Sequence, residues 1–165
     1  MARPAASAKA PLSVLDKALR LLGARARTEV ELDRALTRAG YAAEERKSAL
    51  ARVKELGYMD DRELAAVCAR SLTGKGDAPR LVEKKLQSQG VKAADARAAA
   101  AEAAQGLSAD ELAVQALQRK LRGRKPKDQR ERLKLFRGLV SKGHRPSSAA
   151  RALSLELDGH DDVEE

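Results

Sequence analysis

Leu32-Asp33-Arg34-Ala35-Leu36-Thr37-Arg38-Ala39-Gly40 is the stretch on which the fold turns. Residues four apart on an α-helix share a face, so Leu32 and Leu36 read as a buried stripe. Gly40 reads as its stop, because glycine enters the left-handed conformation of a helix end at least steric cost. The spacing returns as Val82, Leu86, Gly90 and as Leu135, Leu139, Gly143, with the glycines about 50 residues apart. A unit of that period cannot bury its apolar face alone and must stack on its neighbours. The pattern predicts an all-α fold of three tandem three-helix repeats forming an elongated, curved array, with an extended surface that favours binding over catalysis.

Helix starts lie around these stripes. A capping oxygen with an acid three residues later occurs at Thr28 and Glu31, Asp60 and Glu63, Ser108 and Glu111, and in a weaker form at Ser13 and Asp16. Apolar residues then follow helical spacing: Leu15, Leu19 and Leu22; Leu50, Val53 and Leu56; Leu64, Val67 and Cys68; Leu117 and Leu121. After each repeat glycine a third helix is expected, from Ala43 to Leu56, Ala93 to Ala104 and Ser147 to Leu157. The middle one is nearly all alanine, so it should pack closely and tolerate little enlargement. The expected organisation is a disordered tail over 1–11, repeats over 12–58, 59–106 and 107–157, and an acidic tail over 158–165, with short joints between repeats.

Composition agrees with small stacked units. Hydrophobic residues make up 43% of the 165, leaning on alanine, and the aromatics are Tyr41, Tyr58 and Phe136, which together make a thin core. No run approaches the roughly 20 apolar residues that span a bilayer. No apolar stretch near Met1 has signal-peptide character, and the single Cys68 cannot close an internal disulfide. A cytoplasmic protein without membrane attachment, and a monomer, is expected.

Catalytic patterns fail on inspection. Asp60 and Asp61 are adjacent, and neighbours on a helix do not converge on one metal, so a helix cap is the better reading. Gly74-Lys75-Gly76 resembles part of a phosphate loop, but Ala69 stands where the first glycine belongs and Gly76 where Ser or Thr is needed. It reads instead as a flexible joint presenting one exposed lysine. His144, His160 and Cys68 have neither a zinc spacing nor a nucleophile and base arrangement. Cys68 reads as a small core residue and His144 as packing at a helix end. No enzyme activity and no cofactor or metal are expected.

Charge is the sharper signal. The chain carries a net charge of +9, and the excess concentrates between Arg119 and Arg145. There Arg119, Lys120, Arg122, Arg124, Lys125, Lys127, Arg130, Arg132, Lys134, Arg137, Lys142 and Arg145 are opposed only by Asp128 and Glu131. Arg130, Lys134 and Arg137 follow i, i+4, i+7 spacing and form a basic ridge turned away from Leu135, Phe136 and Leu139. In the second repeat Arg80 and Lys84 share a face beside Lys85. Such faces suit an anionic partner. The acidic end, Glu156 to Glu165, reads as solvating chain that could also compete for the ridge.

Several segments together resemble the RecX family of bacterial regulatory proteins. They are Arg25-Ala26-Arg27-Thr28-Glu29 followed by Leu32, Leu36 and Gly40; Gly57-Tyr58-Met59-Asp60-Asp61 with Leu64 and Ala65; and Arg70 with Gly74-Lys75-Gly76. The resemblance runs from about Leu12 to Leu157. It implies a negative regulator of RecA recombinase that lies in the groove of the RecA filament on single-stranded DNA. Such a protein inhibits filament growth, ATP hydrolysis and strand exchange, and so modulates recombination and DNA repair. With the basic faces it gives the candidate contact residues Arg25, Arg27, Arg70, Lys75, Arg80, Lys84, Lys85, Arg119, Lys120, Arg122, Arg124, Lys125, Arg130, Lys134 and Arg137. The alternative is a sequence-neutral DNA-binding protein that uses the third repeat on single strands or duplex. The scarcity of aromatic platforms for base stacking argues against it.

Overall fold

The computed structural model describes residues 12–158, so both expected tails lie outside the described residues except for Asp158, which ends the last helix. Among the described residues the regular structure is helical: α1 (Val14–Ala24), α2 (Glu29–Arg38), α3 (Ala43–Glu55), α4 (Asp61–Gly74), α5 (Pro79–Ser88), α6 (Ala93–Ala103), α7 (Ala109–Leu121), α8 (Gln129–Ser141) and α9 (Pro146–Asp158). The predicted all-α fold of three-helix repeats is observed.

The repeated phrase does what its spacing predicts. Leu32 and Leu36, Val82 and Leu86, and Leu135 and Leu139 are all buried. Gly40, Gly90 and Gly143 adopt φ of +89°, +93° and +86°. Each lets the next amide turn back onto the helix: Tyr41, Val91 and His144 donate to the carbonyls of Leu36, Leu86 and Leu139 at 3.3, 3.1 and 3.2 Å. Three cores result. Ala18, Leu32, Leu36, Leu50, Val53 and Met59 build the first; Val82, Leu86 and Val91 with five alanines build the second; and Leu117, Leu121, Leu135 and Leu139 with Ala113, Ala116, Ala149 and Ala152 build the third.

Two expected stripes are corrected. Leu56 caps the end of α3 and is exposed. On α4 the inward line is Ala65, Cys68, Ala69 and Leu72, while Val67 is half exposed. The buried face is rotated toward the alanines: Ala65 and Ala69 share one core with Ala96, Ala99 and Ala100 of α6 and with Val82 and Leu86 of α5.

The chain forms two compact units, one ending at Asp61 and one beginning at Arg62. In the first, Asp61 reaches back across 32 residues, and its carboxylate accepts the Glu29 amide at 3.0 and 3.3 Å at the start of α2. Thr28 accepts the Glu31 amide there at 3.2 Å.

In the second unit the α4–α5 joint is locked, which corrects the expectation of a flexible hinge. Gly76 and Asp77 are buried. His144 Nε2 donates to the Gly76 carbonyl at 3.0 Å, and the Ala78 amide donates to the Lys142 carbonyl at 2.8 Å. Lys142 Nζ donates to the Lys75 carbonyl and lies 3.6 Å from Asp77, which also holds Lys85 at 2.5 Å. Arg119 donates to the carbonyls of Thr73 and Gly74 at the end of α4. His144 is therefore a tie between the second and third helix triplets, beyond the packing role its position suggests.

Candidate functional site

The outer face of α8 is the most basic surface built by one helix. Leu135 and Leu139 commit the opposite side to the core, so i, i+4, i+7 spacing leaves Arg130, Lys134 and Arg137 exposed. With Lys127, Asp128, Glu131 and Leu133 they line an open recess of about 630 Å³. Asp128 caps this helix by accepting the Glu131 amide at 2.7 Å. Glu131 in turn accepts Arg124 at 2.6 Å and the Lys127 amide at 2.7 Å. Arg124 first, then the Lys127 amide, lower the Glu131 carboxyl to a pKa of about 2. The acid inside the ridge is thus ionised and matched by an arginine, and the surrounding cations keep the recess positive.

At the other end of α8 lies a cleft of about 660 Å³ shared with α5, α7 and α9. Leu81, Leu112 and Val140 supply apolar lining, and Arg80, Lys84 and Arg145 supply charge, with no acid among the lining residues. Pro79 and Pro146 open α5 and α9 here, where a missing amide hydrogen costs nothing at the first helical position. The result is an aliphatic surface bordered by cations, suited to an acidic segment that carries an aliphatic side chain.

The first unit contributes a separate groove of about 510 Å³, lined by Arg25, Arg27, Glu31, Arg34, Thr37 and Arg38. Arg25 grips Glu31 through two bonds of 2.9 and 3.1 Å, which holds the glutamate below its usual range and the arginine above its own. Arg27 donates Nε to the Leu21 carbonyl at 3.2 Å.

The candidate residues divide accordingly. Arg130, Lys134 and Arg137 come together on α8, Arg80 and Lys84 in the cleft, and Arg25 and Arg27 in the groove. Lys85, Arg119 and Arg124 are engaged by Asp77, by the α4 terminal carbonyls and by Glu131. Lys120 lies across Gly138, its Nζ 2.7 Å from where a side chain there would begin. Arg70, Lys75, Arg122 and Lys125 are exposed and line none of these three recesses. Arg34, Arg38 and Arg145 join the recesses without having been singled out as contacts. The i, i+4 spacing of Arg34 and Arg38 was the available signal, masked by their place inside the core phrase. Among the described residues no three His, Cys, Asp or Glu side chains could hold a metal, and no helix is long and apolar enough to cross a membrane.

Comparison with known proteins agrees with this architecture. Residues 15–52 match the family model for the first three-helix domain of RecX. The regulatory protein RecX of Vibrio vulnificus is 34% identical over 145 residues, covering 88% of this chain and 94% of the relative. That of Mycolicibacterium smegmatis is 34% identical over 146 residues, covering 84% and 77%. The crystal structure of RecX from Lactobacillus salivarius superposes with a TM-score of 0.64 at 17% identity, over 86% of this chain and 95% of that one. The fold defines an all-helical protein built from three-helix repeats. More particularly, the chain belongs to the RecX family of regulatory proteins.

Proposed function

We propose that this chain is a negative regulator of RecA that binds the RecA filament on single-stranded DNA and slows its growth, ATP hydrolysis and strand exchange. The observation that carries the reading is the second unit's surface, where the α8 ridge and the aliphatic, cation-bordered cleft sit at two ends of one helix. A filament on DNA offers both chemistries these recesses fit: acidic protein segments with aliphatic side chains, and phosphates. Family membership supports the same reading. Several weak contacts to one filament add through effective concentration, so no deep pocket is needed.

The test is RecA ATP hydrolysis on single-stranded DNA with this protein substoichiometric to RecA. Inhibition well below one protein per DNA site is expected, and R130A/K134A/R137A should weaken it by about ten-fold or more. Full inhibition by the triple variant would remove the ridge from the mechanism. A second reading, sequence-neutral DNA binding, is favoured by the ridge alone. It predicts inhibition only at DNA-saturating amounts and steep loss with salt.

A further inference from the structure

We propose that the arginine groove of the first unit, formed by Arg25, Arg27, Arg34 and Arg38, is a binding site for the phosphodiester backbone of a nucleic acid. All four of its cations are arginines. The guanidinium fork matches phosphate oxygens through paired hydrogen bonds, which an ammonium does as a point charge only. Arg34 and Arg38 stand one helical turn apart on the exposed side of α2, a row suited to a linear polyanion.

The other groups in the groove are consistent with an anion. Glu31 is the one acid in the lining, and its charge is taken up by both arms of Arg25. The Arg27 guanidinium is anchored through Nε on the Leu21 carbonyl, which spends one donor and orients the rest. Anchoring lowers the ordering cost of binding. Every lining residue is polar, unlike the cleft of the second unit, where Leu81, Leu112 and Val140 await side chains of a protein partner. Protein interfaces depend on buried apolar anchors, whereas a sugar-phosphate backbone brings none. The composition of the groove therefore selects phosphate over peptide.

The proposal is independent of the RecA reading, because it is tested without RecA. Anisotropy of a fluorescein-labelled oligothymidylate, titrated with the full chain over a salt series, reads both affinity and the number of phosphates neutralised. R34A/R38A should bind about ten-fold more weakly. Its slope of log affinity against log salt should be shallower by about 1.4, the value for two phosphates of a single strand. R34K/R38K should recover the slope but only part of the affinity, since lysine keeps charge and loses the fork. Affinity and slope of R34A/R38A equal to the unsubstituted chain would overturn the proposal. So would polyglutamate that displaces the oligonucleotide as readily as unlabelled oligothymidylate, with that displacement lost in R34A/R38A.

Discussion

Glu131 is the third residue of α8, and its carboxylate closes the loop before the helix by holding both Arg124 and the Lys127 amide. In the folded chain it titrates at about 2 instead of its usual 4.5. Between those values the unfolded chain holds more protons on this group than the folded one. Its stabilising contribution is therefore fully present above 4.5 and is lost as pH falls from there through about 2. A carboxyl-carbon NMR titration should place the Glu131 midpoint near 2, and R124A should move it toward 4.5, the Lys127 amide keeping it somewhat lower. A midpoint at 4.5 in the unsubstituted chain would contradict the clasp. The sequence offered Asp128 and Glu131 only as two acids in a basic run. Likewise Asp60 and Asp61 read as a local cap, whereas Asp61 serves the start of α2 from 32 residues away. Partners so far apart in sequence leave no local trace.

Among elements, α6 tests how far an alanine-rich helix is specified by its neighbours. Ala96, Ala99 and Ala100 share one core with Ala65 and Ala69 of α4 and with Val82 and Leu86 of α5. Ala96 is fully buried in that core, so A96L overpacks it and should destabilise the second unit by about 1 to 3 kcal/mol. V67A, on the half-exposed side of α4, should change stability by no more than about 0.5 kcal/mol. Urea unfolding of the two variants gives both numbers, and similar values for both would reject the rotated face. The helices themselves were legible from apolar stripes and stop glycines, with the caps Ser13, Thr28 and Ser108 marking the starts of α1, α2 and α7. The face of α4 was not, because hydropathy favours Leu64 and Val67 over Ala65 and Ala69, the residues that enter the core. The basic ridge was legible for the same reason as the helices, through spacing on one element. The arginine groove and the cleft needed several elements at once, and spacing within a helix cannot report that.

At the scale of the whole chain, the division into two compact units makes a cooperative prediction. The second and third helix triplets are tied through Gly76, Asp77, Lys142 and His144, and Gly143 sits in that tie with φ +86°. A side chain at Gly143 would begin 2.8 Å from Leu81 Cβ and 3.6 Å from Ala78 Cβ, on a backbone that L residues adopt at a cost. G143A combines left-handed strain with overpacking and should destabilise the second unit by about 2 kcal/mol or more. Because α5 carries Leu81 and Gly143 lies in the turn that follows α8, the loss should not stay within the third triplet. Amide hydrogen exchange is expected to quicken across α4–α9 together, while α1–α3 keep their protection. Faster exchange confined to α7–α9 would mean that the junction does not couple the two triplets. Faster exchange reaching α1–α3 would mean that the boundary at Asp61 is not a boundary of cooperativity. Either result would bear on binding: a coupled second unit offers the α8 ridge and the cleft as one preformed surface, and the ordering cost of presenting it is met during folding, before any partner arrives.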